Sequence, residues 1–312
     1  MLRGLRNGVV TTRWPARPDA YASEWRGPAT LRDPLAARAG DDLGLLCPTQ
    51  AISSHTDGSL HIDQGKCILC GRCVAQRPDV FGWSAGPAAA GLTREGLVVP
   101  QIPDSNANLA AIRAGLRART AALRRSVHLR HVDAGSDGAE EQEIQALLNP
   151  VYDVHRLGIF FTASPRHADV LLVTGAGARG MLAPLRRTYD GMPDPKIVIA
   201  VGSDAVSGGL VSPSDATSGG VGGAIPVDVW LPGSPPSPFG ILHALLLALG
   251  RLPGADGRPA SGWQPRAGRQ RGPDGGSGAD GQSGADGQSG ADGQSGADRQ
   301  PGPSRRDQGE SR

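Results

Sequence analysis

Three of the four cysteines in this 312-residue sequence form one C-x2-C-x2-C run, Cys67, Cys70 and Cys73, and the fourth, Cys47, precedes a proline. Thiolates hold iron–sulfur clusters, and this spacing lets one short loop supply three ligands of a cubane. A cysteine followed by proline is the usual source of the remaining thiolate. We therefore predict one [4Fe–4S] cluster, bound by Cys47, Cys67, Cys70 and Cys73. A four-cysteine zinc site, which more often uses two separated C-x2-C pairs, and four unrelated thiols are the alternatives.

The composition restricts the compartment and the class of protein. A chain of this length predicts roughly two domains, and a net charge of +2 is too small to indicate nucleic-acid binding by itself. Clustered cysteines favour a reducing compartment over a disulfide framework. No apolar run of a signal peptide opens the chain, and the longest apolar run, 241–249, is shorter than the ~20 residues that span a bilayer. We expect a cytoplasmic protein without a transmembrane segment.

Three segments differ in composition from the two predicted domains. Residues 1–30 form a basic arm, rich in arginine and interrupted by Pro and Gly, which we expect to be flexible. Residues 101–128 form a basic helical linker, with apolar residues at helical spacing and arginines on the opposite face. Residues 251–312 contain three GADGQS repeats and too little apolar surface to fold, so we expect a disordered tail.

Residues 31–100 resemble a bacterial ferredoxin of the two-cluster type that retains one of its two sites. The match is carried by Asp33-Pro34, by Cys47-Pro48-Thr49 followed by Ala51-Ile52, and by the C-x2-C-x2-C run. A hairpin with a D-G turn at Asp57-Gly58 is expected to bring Cys47 back beside Cys67. The resemblance implies that the ligand positions of the second cluster are all lost, at Ala37, Gly40, Leu43 and Arg77. One cluster site of the pair is thus intact.

The second half of the chain predicts an α/β domain over residues 129–250. Short β-branched runs at 127–132, 170–174 and 197–201 alternate with helical patterns. This alternation is typical of a three-layer domain with a mainly parallel sheet, here preceded by a small ferredoxin-like α+β domain. The run 175–180 matches G-x-G-x-x-G, but no acidic residue ends a strand near position 200. We therefore interpret it as a tight strand-to-helix turn rather than a nucleotide site.

The same domain resembles the small subunit of membrane-bound nickel–iron hydrogenases of the formate-hydrogenlyase type (group 4). That small subunit is homologous to the PSST-like component of complex I, which carries the last [4Fe–4S] cluster before quinone. The segments that match lie, in the family's order, at 131–136, 163–175, 185–189, 193–196, 201–202, 225–228 and 232–236. The resemblance implies a hydrogenase-large-subunit-like or complex-I-like catalytic subunit as partner, and a peripheral place on the cytoplasmic face of the membrane.

The chain departs from that family at each cysteine of the domain's own cluster. The family's V-D-A-G-S-C-N-G-C-E ends here in Asp137-Gly-Ala-Glu140-Glu141, and its V-G-D-C-A is Val201-Gly-Ser-Asp204-Ala. Its P-G-C-P-P is Pro232-Gly-Ser234-Pro-Pro. The ligand positions are therefore Asp137, Glu140, Asp204 and Ser234, and we expect no cluster there. Whether these four residues bind anything is left open by the sequence.

Two functions follow from these patterns, and a third comes from another class of protein. The first is an iron–sulfur electron-transfer subunit of a hydrogenase-like or NADH-quinone-oxidoreductase-like complex. The second is a structural or assembly paralogue that keeps the partner-binding fold without conducting electrons. The third is a metal sensor in which Asp137, Glu140 and Asp204 bind a divalent cation through oxygen. No catalytic motif is present in the sequence, so we expect no catalysis by this chain alone.

Overall fold

The computed structural model describes residues 8–17, 19, 25–33, 43–54, 57–100, 106–121, 123, 126–212 and 214–252. All of them belong to one compact unit of the chain, Met1–Gly268. The predicted tail lies outside the described residues from position 253 onward, and so do the lost ferredoxin positions Ala37 and Gly40.

The cysteine-bearing part is built from small antiparallel pairings around an apolar core. Strand β1 (Arg26–Leu31) pairs with β4 (Phe81–Ala85), while β2 (Ile52–Ser54), β3 (Leu60–Asp63) and β5 (Val98–Val99) form a second sheet. The expected hairpin is present, because Ile52 pairs with Ile62 across β2 and β3. One short helix, α1 (Arg72–Gln76), begins inside the cysteine run. The core beneath these elements consists of Leu31, Leu43, Ile52, Leu60, Ile62 and Phe81.

The described part of the basic arm is packed, which differs from the expected flexible segment. Trp14 is buried, and its ring meets the ring of Phe239 edge-on at 5.8 Å between centroids. The Thr12 amide donates to the carbonyl of Val151 at 2.8 Å. A large aromatic side chain buries enough apolar surface to fix a segment whose backbone has no regular structure. The arm therefore contributes to the core of the α/β domain.

Helix α2 (Asn106–Thr120) ends before the predicted helical linker 101–128 does. Its apolar face reaches the core through Leu116, which is buried. Arg119, on the basic side, forms an ion pair with Asp228 and donates to the carbonyl of Lys196. The helix is thus fastened to the α/β domain by both faces.

The α/β domain contains five parallel strands in the order β10-β9-β8-β6-β7. In chain order, β6 (Val127–Asp133) precedes helix α3 (Ala139–Ala146), and β7 (Ile159–Phe161) precedes β8 (Val170–Thr174). Helix α4 (Arg179–Asp190), β9 (Ile197–Val201), α5 (Ser203–Ser207), β10 (Val229–Leu231) and α6 (Pro238–Ala248) follow. The strands β8 and β9 are buried along their whole length, as expected for a parallel sheet covered on both faces.

Two apolar clusters, one on each face of this sheet, confirm the three-layer α/β prediction. Leu172 and Ile199 pack with Leu242 and Leu245 of α6, whereas Leu171 packs with residues of α4 and α5. Alternate residues of one strand enter opposite clusters because successive strand side chains point to opposite faces. Among the residues described, none of the helices combines the length and apolar character that crossing a bilayer requires.

The glycine-rich run 175–180 connects β8 to α4, as the sequence predicts for a strand-to-helix turn. Gly175 has φ +84°, and a Cβ there would lie 2.6 Å from the backbone of Gly135 and Ser136. A second glycine, Gly177, faces the backbone of Gly220 in the same manner. These glycines allow three loops to approach one another at the carboxyl edge of the sheet.

Candidate metal centre

All four cysteines line a single cavity between the two small sheets. The cavity is partly open to solvent. Cys67 is buried, Cys47 and Cys73 are half-buried, and Cys70 is exposed. The rest of the lining is mainly apolar, from Ala29, Leu46, Pro48, Ala51, Ile52, Ile62, Ile68, Gly71 and Trp83. The tertiary structure therefore brings Cys47 to the C-x2-C-x2-C loop.

The cysteine loop reverses direction between its sulfur-bearing residues. Leu69 has φ +58° and Gly71 has φ +75°, so both adopt the left-handed conformation. This conformation is uncommon for a leucine. Gly71 also faces the ring of Trp83, because a Cβ at this position would lie 3.0 Å from Cζ2. These reversals let three closely spaced side chains line the same cavity.

Backbone amides point at two of the sulfur atoms. The Ala51 amide donates to Cys47 Sγ at 3.3 Å, and the Ala29 amide donates to Cys67 Sγ at 3.5 Å. Thr49 Oγ1 lies 3.3 Å from Cys47 Sγ and donates its own proton to the carbonyl of Lys66 at 2.7 Å. Amide donors stabilise the thiolate form, which is the form that binds metals.

Burial has the opposite effect on Cys67 and Cys73, because it disfavours the thiolate form. Desolvation raises the pKa of Cys67 above its usual value, and it raises the pKa of Cys73 to about 11. The negative charges of neighbouring cysteines raise both pKa values further. Without a cation these thiols are therefore protonated at neutral pH, whereas coordination to a metal deprotonates a thiol outright.

The chemistry of the donor set is that of an iron–sulfur cluster. Within the described residues, no three His, Cys, Asp or Glu side chains are grouped closely enough to hold a metal ion. A cubane takes one thiolate at each of four iron atoms, and four cysteines line this cavity. Soft thiolate donors are the ligands that iron–sulfur clusters select.

The cysteine loop is seated on α5 through Ser203, a residue that the sequence patterns did not single out. The Ser203 hydroxyl is fully buried, donates to the carbonyl of Cys67 at 2.6 Å and accepts from the Gly233 amide at 3.1 Å. The Ser203 amide in turn donates to the carbonyl of Gly233 at 2.7 Å. The sequence offered one signal for this residue: Ser203 occupies a position where the resembled family has aspartate.

A second contact holds the same loop against α5. A Cβ at Gly65 would lie 2.8 Å from Cγ1 of Val206 and 2.7 Å from the guanidinium of Arg94. Asp63 fixes that guanidinium through two hydrogen bonds of 2.7 Å and also accepts from the Gly65 amide at 2.9 Å. The predicted centre is thus attached directly to the loops that end β9 and β10.

The four positions that replace the α/β domain's own cluster ligands lie around these loops. Glu140, in the first turn of α3, is 1% exposed, and its pKa is raised to about 7 by burial and by the charges of Asp204 and Asp137. Burial, followed by the charge of Asp137, likewise raises the pKa of Asp204. Ser234 follows Gly233, the hydrogen-bond partner of Ser203. In the described residues, Asp137, Glu140 and Asp204 are not grouped as a cation site.

A short polar chain beside these acids was also missed from the sequence. Thr174 donates to Glu141 Oε1, and His131 Nε2 lies 2.9 Å from the Thr174 hydroxyl. Burial is the main cause that lowers the pKa of His131. These residues lie on three separate elements, so no local pattern could have joined them.

Comparison with known proteins identifies relatives of the α/β domain. Residues 138–248 match the family model described as NADH ubiquinone oxidoreductase, 20 Kd subunit. Formate hydrogenlyase subunit 7 of Escherichia coli (strain K12) is 40% identical over 157 residues, which are 50% of this chain and 60% of that protein. The probable membrane-bound hydrogenase subunit mbhJ of Pyrococcus furiosus is 44% identical over 128 residues, 41% of this chain and 77% of that protein.

A solved structure of a membrane-bound sulfane sulfur reductase, an archaeal respiratory membrane complex, contains a further similar chain. The two chains are 30% identical, and the match covers 42% of this chain and 74% of the other, with a TM-score of 0.38. The region that matches the family model lies wholly outside the cysteine-bearing part, which begins with β1 and ends with β5.

Proposed function

The chain belongs to the family of the 20 kDa subunit of NADH ubiquinone oxidoreductase, and we propose that it is an iron–sulfur electron-transfer subunit of a hydrogenase-like or NADH-quinone-oxidoreductase-like complex. It carries one [4Fe–4S] cluster, bound by Cys47, Cys67, Cys70 and Cys73. The observation that supports this proposal best is the single cavity lined by all four thiols. Relatives named as hydrogenase subunits support the kind of complex.

The chain's own residues account for how such a centre is held. When bound, the cluster supplies a site that accepts and releases one electron at a time. The amides of Ala51 and Ala29 stabilise negative charge on two ligand sulfurs. The lining beside the thiols is mainly apolar, and exposed Cys70 marks the side that a redox partner can approach. Hydrogen bonds to sulfur and solvent exposure are two of the factors that set a cluster's reduction potential.

The proposed partner is a large catalytic subunit of the hydrogenase or complex I type, and the chain is peripheral to a membrane complex. Formate hydrogenlyase subunit 7 and the probable membrane-bound hydrogenase subunit are the relatives on which this proposal rests. Catalysis belongs to the complex, and this chain contributes the electron-transfer step.

A structural or assembly role is the second candidate. It is favoured by the replacement of all four domain cysteines, at Asp137, Glu140, Asp204 and Ser234. An electron at the cysteine cavity then has no second centre within the α/β domain, and it moves on only if the partner supplies one nearby. The two roles differ in one measurable property, whether the bound cluster is reduced and oxidised within the intact complex.

The cluster is tested by anaerobic reconstitution of the full chain. We expect about four irons and four sulfides per chain and an EPR signal on reduction, because four thiolates hold one cubane. Cys70→Ser should lose most of the iron, whereas the control Ile68→Val changes a neighbouring lining residue and should keep it. One zinc per chain without iron after the same treatment would contradict the proposal.

A further inference from the structure

Glu140 is a buried acid that the proposed electron transfer does not use. It is 1% exposed, and neither carboxyl oxygen has a hydrogen-bond partner among the described residues or measurable contact with solvent. An ionised carboxylate buried without a partner costs several kcal/mol, so such groups bind a proton or a cation instead. The side chain therefore points to a ligand at this position.

The acidic side chains near Glu140 favour the binding of a proton or a cation to its carboxyl group. Asp204 approaches from α5, Asp137 from the loop that precedes α3, and Glu141 from α3 itself. Glu141 is engaged by Thr174 of β8 and by His131 of β6. All three acids favour the neutral form of Glu140.

The space around the carboxyl group selects a proton over a metal ion. A Cβ at Gly202 would lie 2.5 Å from Glu140 Oε1, so the oxygen packs directly against the backbone at the end of β9. A calcium-like ion takes about 6–8 oxygen ligands, and the described acids are not grouped to hold one. A proton needs only one oxygen and no coordination space.

This carboxyl group is also close to the cysteine cavity. Gly202, against which it packs, is followed by Ser203, whose hydroxyl binds the Cys67 carbonyl at 2.6 Å. One Cα–Cα step spans about 3.8 Å, so the carboxyl group and the cavity are on the order of 15 Å apart. At that distance and an effective dielectric constant of about 20, one added negative charge changes a carboxyl equilibrium by about 6.5-fold.

We propose that Glu140 is a proton-binding site whose occupancy is coupled to the electron on the cluster held by Cys47, Cys67, Cys70 and Cys73. The inference rests on the proposed function, because it requires that cluster. When a one-electron donor reduces the cluster, the Glu140 carboxylate takes one proton from water. On oxidation the electron leaves to the acceptor, and the carboxylic acid returns its proton to water. The former ligand position thus balances the charge that the remaining cluster gains.

The test is the reduction potential of the reconstituted full-length protein, measured by EPR-monitored redox titration between pH 5.5 and 9. We expect the potential of the parent protein to fall as pH rises, between two flat limits. The limits should differ about 6.5-fold in the reduction equilibrium, which corresponds to about 48 mV for one electron, since a tenfold change is about 59 mV. Glu140→Gln keeps the shape of the side chain but removes the group that titrates. The reduction potential of this variant should therefore be the same across the pH range. The control Glu95→Gln removes an exposed carboxylate and should retain the dependence of the parent.

The outcomes separate this inference from the proposed function. Failure of the parent to bind iron and sulfide refutes the cluster itself. A normal cluster with a pH-independent potential in the parent overturns the proton site without any variant. A Glu140→Gln protein that keeps the full pH dependence also overturns it. If Glu140→Gln does not fold, Glu140→Asp retains a carboxyl group, and the proposal requires its titration midpoint to move.

Discussion

Glu140 shows how one residue can keep a fold while changing its chemistry. The resembled family has a cysteine at this position, whereas the glutamate fills the region with its own side chain, against the Gly202 backbone. Nearby, Ser203 holds the cysteine loop, and the charge of Asp204 adds to burial in raising the pKa of Glu140. Burial of an acid is tolerated here because the group can be neutral.

This neutral acid makes the stability of the protein depend on pH. The pKa of Glu140 is raised from 4.5 to about 7, so the folded state binds more protons than the unfolded state in this window. Stability is therefore greatest below pH 4.5 as far as this group is concerned, and it is lost as pH rises through 7. We expect Glu140→Gln to gain about 2–3 kcal/mol relative to the parent between pH 5 and pH 8, measured by thermal or urea unfolding. An equal pH slope in parent and variant would show that Glu140 is ionised when folded; Glu95→Gln serves as the control.

At the scale of elements, the short helix α5 connects the two halves of the molecule. It receives the cysteine loop through Ser203 and Val206 on one side. Its buried residues Ala205 and Val206 also belong to the core cluster of the α/β sheet. The orientation of the predicted metal centre toward this sheet depends on these contacts.

The variant Gly65→Ala tests the contact between the cysteine loop and helix α5. The added methyl group would meet Val206 at 2.8 Å, and the opposing Arg94 is held by two hydrogen bonds to Asp63. Overpacking of this kind costs about 1–3 kcal/mol, so we expect a lower melting temperature and faster loss of iron to a chelator. Gly115→Ala, in helix α2 with nothing within 4 Å of the new methyl group, should be neutral or stabilising. Equal iron retention in Gly65→Ala and the parent would mean that the contact between the cysteine loop and helix α5 does not stabilise the cluster site.

At the scale of the whole molecule, the N-terminal segment and the α/β domain form one core. Trp14, Trp25 and Tyr152 all pack edge-on against Phe239 of α6. The described N-terminal residues are therefore packed on helix α6 of the α/β domain.

The proposed partnership predicts a stable complex in the native host. A tagged chain should co-purify with a hydrogenase-large-subunit-like or complex-I-like protein in the membrane fraction, after mild crosslinking and detergent extraction. Cys70→Ser should still capture the partner, since the ligand change leaves the α/β domain intact. A monodisperse monomer with no such partner would contradict the assignment to a complex. Capture of the partner by a chain whose cluster is never reduced would instead support the structural role.

The class of fold was predictable from local sequence, and the ligand set is a prediction of the same kind. Cys67, Cys70 and Cys73 lie within one loop, and the alternation of β-branched runs with helical patterns is local, so both are readable without coordinates. The β-branched runs predicted the strands 170–174 and 197–201, because both faces of a central parallel strand must be apolar.

Only the tertiary structure decided how these parts meet. The contact of Ser203 with Cys67 joins residues 136 positions apart, and the orphaned carboxyl group of Glu140 is defined by the backbone of Gly202. The packing of Trp14 against Phe239 likewise turned an expected flexible arm into part of the core. Such contacts arise from the order in which strands enter a sheet and from the loops that converge at its edge. Local sequence does not encode this arrangement, because helix and strand propensities do not depend on partners far along the chain.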